Sequence, residues 1–357
     1  MTQPAALLDP GLTNILKDQL SYLRSDTPRR VADVVNALNV VRSTRYSTLV
    51  PHLPGSSSSA ANTRRLERCS QDDQFGDAEF LRFLLPLFPP GQLVLAMDRT
   101  NWQHGTHPLN LLVLGVVIAG FTLPLVWVAL SRGGSSDMLL RQRLVARLLQ
   151  DLPALRWKVL VGDREFIGQD WFSFLRCRTI KRGLRIRLDT LVDAARVDET
   201  YQDVKIGQIV GLLERASVSG TLMQVVVTRS PAGDLVALAT DLKIWAACHI
   251  YRQRWSIECA FFSIKSRGFG LEATAITKPD RLERRFGVVT LAWVCCLRVG
   301  VWSAQQTPIP IKAHGRQARS VVQYGWDLLV VAIRWTRSTC STYFSLLNQP
   351  FPVPGAA

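Results

Sequence analysis

Acidic residues are scarce in this chain, and cysteine follows no pattern. Asp and Glu number 28 against 43 Lys and Arg in 357 residues, a formal net charge of +15. A balance so basic points to a polyanion, nucleic acid before all others. A basic protein without such a partner is the plainer alternative. The seven cysteines are odd in number, form no CxxC pair and follow no secretory signal. That pattern excludes a disulfide framework and a cysteine zinc site, and it reads as reduced thiols in the cytoplasm.

Long hydrophobic runs are also few. Residues 111–130, LLVLGVVIAGFTLPLVWVAL, stay uncharged for 20 positions, enough for a helix to cross a bilayer. Yet the run is rich in Val, Ile and Leu, breaks at Ala119-Gly120 and carries Pro124. Two buried strands joined by a tight turn account for those features better than one helix. With QLVLAMDRT at 92–100 upstream, three consecutive strands of a buried sheet are expected, and no membrane partner.

The rest of the sequence is that of a folded protein, 47% hydrophobic and 20% charged. Five regions are expected. Residues 1–90 have helix-like stretches (11–24, 29–42, 76–88) around the flexible PGSSSSAANT at 54–63, and Arg29-Arg30 and Arg64-Arg65 make them a candidate DNA-binding headpiece. Residues 91–175 form the first part of an α/β core, with WKVLVGDREF a buried strand ending at Asp163. Residues 176–241 turn to short alternating strands, a β-rich insertion. Residues 242–300 return to helix, and 301–357 are helical.

Three acids stand out by position. Asp98 follows the apolar VLAM and precedes polar residues, and Asp163 does the same after VLVG. An acid closing an apolar strand is costly unless paired, solvated in a cleft or bound to a cation. The third, Glu258, belongs to a helix read from Tyr251 to Lys265. At 100° per residue, Tyr251, Arg254, Glu258 and Lys265 fall within roughly 60° of one another. Trp255 sits on the shoulder of that stripe. A carboxylate, two cations and a phenol on one face suit a metal ion held beside a phosphodiester, although a solvated basic face fits the stripe alone. Asp98 or Asp163 alone could equally cap the next segment, and Glu258 alone could simply pair with Arg254. Together, three carboxylates from two strand ends and a helix make an oxygen-lined site for hard divalent ions, chiefly Mg²⁺. Farther along, six basic residues in twelve open the β-rich region, and the alternation in LRIRL puts Arg185 and Arg187 on one strand face. Such a face suits a phosphate backbone, or protects an edge strand by charge.

The spacing Tyr251-x2-Arg254-x3-Glu258-x6-Lys265 resembles the signature of DDE cut-and-paste transposases of bacterial insertion sequences, in the family named after insertion sequence 4. DRTNW at 98–102, GDREFIG at 162–168 and KSRGFGLEATAITKPDRLERR after the helix extend the resemblance, which covers about 90–335 well. It implies a ribonuclease H-like core with a β-rich insertion, a helical N-terminal domain and a helical C-terminal region. It also implies Asp98, Asp163 and Glu258 as catalytic triad and ligands of Mg²⁺, for which Mn²⁺ can substitute. Tyr251, Arg254 and Lys265 would contact transposon-end DNA, with Trp255 packing near it. The implied partners are double-stranded DNA, both transposon ends and target, and a second copy in a homodimeric DNA complex in the bacterial cytoplasm. Some relatives hold a flipped base on an additional Trp in the insertion, and this sequence has no Trp between Trp171 and Trp245. A structure-selective nuclease of the same fold and a catalytically silent DNA-binding descendant remain as alternatives.

Overall fold

The computed structural model describes residues 10–130, 136–212, 214–313 and 315–352. The N-terminal region is helical: α1 (Pro10–Gln19), α2 (Thr27–Val41), α3 (Tyr46–Leu49), α4 (Ser59–Gln71) and α5 (Asp77–Leu84). Half of the Ser-rich stretch expected to be flexible is the start of α4. Ser58 caps it, its Oγ accepting from Ala61 N–H at 3.3 Å.

The core sheet begins with β1 (Leu93–His104), β2 (His107–Ile118) and β3 (Phe121–Ala129), an antiparallel meander. The 111–130 run therefore lies in β2 and β3. Ala119 and Gly120 both have positive φ, 51° and 82°, the two-residue turn whose twist matches the flanking strands. Pro124 falls where the register slips between Leu114 and Gly115, so its missing N–H disrupts no regular ladder. The edge strand β3 is covered by a later helix, whose Glu283 carboxylate accepts from Ala129 N–H at 2.7 Å.

After α6 (Met138–Asp151), β4 (Trp157–Gly162) returns parallel to β1. Then α7 (Gln169–Cys177) leads to β5 (Arg182–Ile186), parallel to β4. The order β3-β2-β1-β4-β5 with helices packed on it is a ribonuclease H-like core. The sheet does not stop there. Short strands β6 (Leu191–Val192) and β7 (Ala195–Arg196), a turn of helix α8 (Val197–Thr200), and β8 (Ile209–Gly211) and β9 (Ala216–Val218) precede β10 (Thr221–Arg229) and β11 (Leu235–Thr240). The pairing of β11 with β5 joins this β-rich stretch edge-on to the core sheet.

Two helices follow, α9 (Ile244–Arg252) and α10 (Trp255–Lys265). The single helix expected from Tyr251 to Lys265 is thus broken at Gln253-Arg254. The stripe survives the break, because Arg254 is the N-cap of α10 and keeps helical angles (φ −53°, ψ −36°). Then come α11 (Pro279–Gln306), α12 (Val321–Trp335) and α13 (Arg337–Ser345). Among described residues α11 is the one helix long and apolar enough to cross a membrane, and 89% of its apolar window is buried inside the fold. Its contact with α12 is backbone to backbone. A Cβ on Gly300 would lie 2.0 Å from the Val321 carbonyl oxygen, so only glycine permits the crossing.

Candidate active site

Strand pairing places the first two acids side by side. The last parallel pair between β1 and β4 is Met97 with Gly162, so Asp98 on β1 and Asp163, the first residue past β4, come next. Adjacent strands run about 4.8 Å apart. β1 itself does not end at Asp98, as its apolar run suggested. It continues to His104, because the polar residues beyond Asp98 still pair with β2. One strand over, Leu184 of β5 pairs with Gly162, which brings Arg185 level with Asp163. Arg185 Nη1 is 3.9 Å from Asp163 Oδ1. That Oδ1 is buried with no hydrogen-bond partner, an unusual and costly state for a carboxylate oxygen.

The third acid arrives on α10, which packs over β1 and β3 and is pinned by a 2.5 Å contact between Ser256 Oγ and Thr122 Oγ1. Arg254 ties it to the strands. Its Nη1 donates to Asp98 Oδ2 at 2.6 Å and its Nη2 to Glu258 Oε1 at 2.5 Å. Arg254 is only 8% exposed, and its guanidinium carbon lies 5.8 Å from the centre of the Tyr251 ring. Burial raises the Asp98 carboxyl to about 6 against the pull of Arg254, and the charges of Glu258 and Asp163 push the same way. Burial also pushes the Tyr251 phenol up to about 12. For Arg254, burial lowers the pKa, but the Tyr251 and Asp98 charges more than offset it and hold it above its ordinary value.

A second pair braces the same strand ends. Arg99 reaches Glu165 through Nε and Nη2, both 3.1 Å from Oε2. Each residue directly neighbours or nearly neighbours one strand acid, so the fork fixes the loop after β4 against β1. The sequence carries both residues within its DRTNW and GDREFIG motifs, but nothing in the spacing announced that they meet.

The remaining expected residues divide. Lys265 Nζ donates to the Asn101 carbonyl at 2.8 Å and lies 5.8 Å from the Trp102 ring centre, farther along β1. Burial lowers its pKa, with Glu272 opposing. Trp255 is 62% exposed and lines an open cleft beside the β2–β3 turn. Arg187 is exposed and lies past the end of β5, so it does not share a strand face with Arg185. In the N-terminal region, Arg30 and Arg65 are engaged within the fold, by Asp72 and Asp33 respectively.

The site is therefore an acidic cluster bridged by one internal cation. Among the described residues no three of His, Cys, Asp or Glu are grouped closely enough to form a ready metal cage. The donor set nevertheless fits a hard divalent cation. It is all oxygen, it is short of positive charge beyond Arg254 and Arg185, and one Asp163 oxygen lacks a partner.

The family model described as "Transposase DDE domain" matches residues 89–295. No curated protein sequence matches. Among solved structures, the chain is similar to piggyBac transposase in its synaptic complex with hairpin DNA, at 10% identity, over 97% of this chain and 84% of that one, with a TM-score of 0.47. It is also similar to an endonuclease V from Bacillus subtilis, at 12% identity, over 58% of this chain and 88% of that one, with a TM-score of 0.24. Likenesses so distant carry no argument about function.

Proposed function

Since the chain belongs to the DDE transposase domain family, we propose that it is a DNA transposase of the insertion sequence 4 type. In this reading it hydrolyses DNA at the terminal inverted repeats of its own element and joins the free 3′ hydroxyl to target DNA. The observation that supports it most is the level placement of Asp98 on β1 and Asp163 just past the end of β4, with Glu258 tied to Asp98 by the Arg254 guanidinium.

Asp98, Asp163 and Glu258 would hold Mg²⁺, or Mn²⁺ in its place, which when bound activates the attacking oxygen and stabilises the leaving oxygen of an in-line displacement. The protein's own part is charge and position. In the DNA-free state Arg254 neutralises Asp98 and Glu258 and keeps α10 in register with β1. With a phosphodiester in the cleft, the same guanidinium has an anion to turn to, a phosphate oxygen between the acids. Lys265, one end of α10 farther on, would contact the neighbouring phosphate, and Tyr251 backs the guanidinium from below. Arg99 and Glu165 hold the two strand ends at a fixed separation, which matters because small misplacements of reacting groups cost large factors in rate. Double-stranded DNA, element ends and target, is the substrate, and a homodimer on DNA and a bacterial cytoplasmic setting belong to the same reading. The helical N-terminal region would read the element's ends. We place the start of the β-rich insertion after β5, because β5 completes the core sheet beside β4.

The test is cleavage and strand transfer on a duplex carrying the inverted repeats that flank the gene. Parent protein should nick and join in Mg²⁺. Near-normal strand transfer by Glu258→Ala would remove the assignment of the site.

A further inference from the structure

Two open cavities lie at the other end of the sheet, near the first residues of β1 and β4. One, of about 1050 Å³, is lined by the β2–β3 turn, the start of β1 and Trp255. The other, of about 700 Å³, is lined by Lys181, Lys243 and Trp245. Lys158 and Gln253 border both, so the two cavities adjoin, as two halves of a trough divided by these side chains. Lys158 precedes Asp163 by five residues along β4, which puts that wall of the trough about 16 Å from the acids, while Arg252 and Trp255 on another wall flank Arg254 in sequence.

Its chemistry is uniform. Lys158, Lys181, Lys243 and Arg252 line it, and no salt bridge to any of the four is present among the described residues. Asp241 is the one acid on its walls, and Arg182 neutralises it through Nε at 2.7 Å and Nη2 at 2.9 Å. Two tryptophans are laid open on the same walls, Trp245 at 74% and Trp255 at 62% exposure. Water-exposed indole is unfavourable, and lone cations in such number repel one another. A second copy of this chain, itself carrying +15, would add to that repulsion. A polyanion with flat apolar faces relieves both costs at once.

We propose that this trough binds an unpaired DNA strand, distinct from the duplex whose phosphate meets Asp98, Asp163 and Glu258. Lys158, Lys181, Lys243 and Arg252 track the phosphates, and Trp245 and Trp255 stack on exposed bases. Duplex DNA hides its base faces and gives the indoles little, whereas single strands bind through basic grooves with aromatic platforms. The ligand class rests on the transposase reading; the position and the preference for an unpaired strand rest on the trough itself.

The experiment is fluorescence anisotropy of the full chain with labelled oligo-dT and with a duplex of equal length, across a salt series. Trp245→Ala should bind oligo-dT about tenfold more weakly, with duplex affinity unchanged and Trp245→Phe restoring most of the loss. Lys158→Gln combined with Lys181→Gln should lower the slope of log affinity against log salt by about 1.4 on oligo-dT, at about 0.7 per lost phosphate contact. Oligo-dT affinity unmoved by Trp245→Ala would overturn the proposal, as would an equal loss on duplex. Because Trp245 is exposed and outside the core, its replacement leaves folding intact, and a melting curve verifies that. If the trough behaves as expected while the parent fails to cut any inverted-repeat duplex, the catalytic reading fails and this one stands.

Discussion

The two ends of the core sheet use positive charge in opposite ways. At the acid end, Arg254, Arg185 and Arg99 are all engaged by carboxylates, and Arg254 is nearly sealed from water. At the other end, Lys158, Lys181 and Lys243 face open cavities without a salt-bridge partner among the described residues. The contrast fits the two roles proposed above. Charges that take part in bond breaking gain from a low local dielectric, where each interaction is stronger, but they must then be neutralised before substrate arrives. Charges that only gather a polyanion work through counterion release, which needs them solvated and free. Three of the four cations lining the trough are lysines, hydrated point charges suited to the second task, while the planar fork of arginine suits the first.

The largest effect that separates the two ends is on chemistry. Asp98→Asn, Asp163→Asn and Glu258→Gln are each expected to lower end cleavage on the order of a thousandfold or more while duplex binding stays close to the parent, read by gel assay and anisotropy. A comparable loss of cleavage from Lys243→Ala would erase the distinction between the ends.

Stability comes next. Arg254→Ala leaves the largely buried Asp98 carboxylate without its cation, and breaking a fully buried pair costs about 3–5 kcal/mol. Calorimetry should show a clear drop in Tm. Lys243→Ala, at an exposed position with no salt-bridge partner among the described residues, should stay within about 0.5 kcal/mol of the parent. If both variants melt alike, the acid end is not the neutralised cluster described above.

A smaller effect tests the brace. A double-mutant cycle on Arg99→Ala and Glu165→Ala is expected to give a coupling of about 1 kcal/mol in stability, as for other groups in direct contact. The same variants should lose more in cleavage than in DNA binding. Additive energies would mean the pair does not fix the strand ends.

The smallest expected effect is on the pH dependence at the covered sheet edge, two strands over from Asp98. Burial raises the Glu283 carboxyl above its ordinary value, despite the Ala129 N–H that favours its ionised form. The folded state then holds a proton that the unfolded state has released, so stability falls as pH rises from the ordinary glutamate range through the raised value. Glu283→Gln should flatten that slope in urea titrations from pH 4 to 7. An unchanged slope would assign the pH dependence to another group.

Much of this was legible before any tertiary contact was known. The apolar runs ending in Asp98 and Asp163 are local, and so is the Val-rich hairpin with its Ala119-Gly120 turn. The stripe of Tyr251, Arg254, Glu258 and Lys265 held its direction even though the helix breaks at Gln253, because helical angles persist at Arg254. The extent of β1 past Asp98 was not legible, since polar residues there pair through a partner strand and carry no hydrophobic signal. Nor was the membership of Arg182–Ile186 in the core sheet, which depends on pairing with β4 and β11.

What the sequence determined by itself was the set of elements and the residues that carry charge on them, because turn chemistry and the two side-chain periods act over a few residues. What only the tertiary structure decided was the partner each charge found. Arg254 meets Asp98 across 156 positions of chain, and Arg99 meets Glu165 across 66. Lys158 and Trp245 share a cavity from opposite sides of the β-rich stretch. Whether a cation is neutralised or left free depends on strand register and helix packing, and those are set by the burial of the whole core, not by any one segment's pattern.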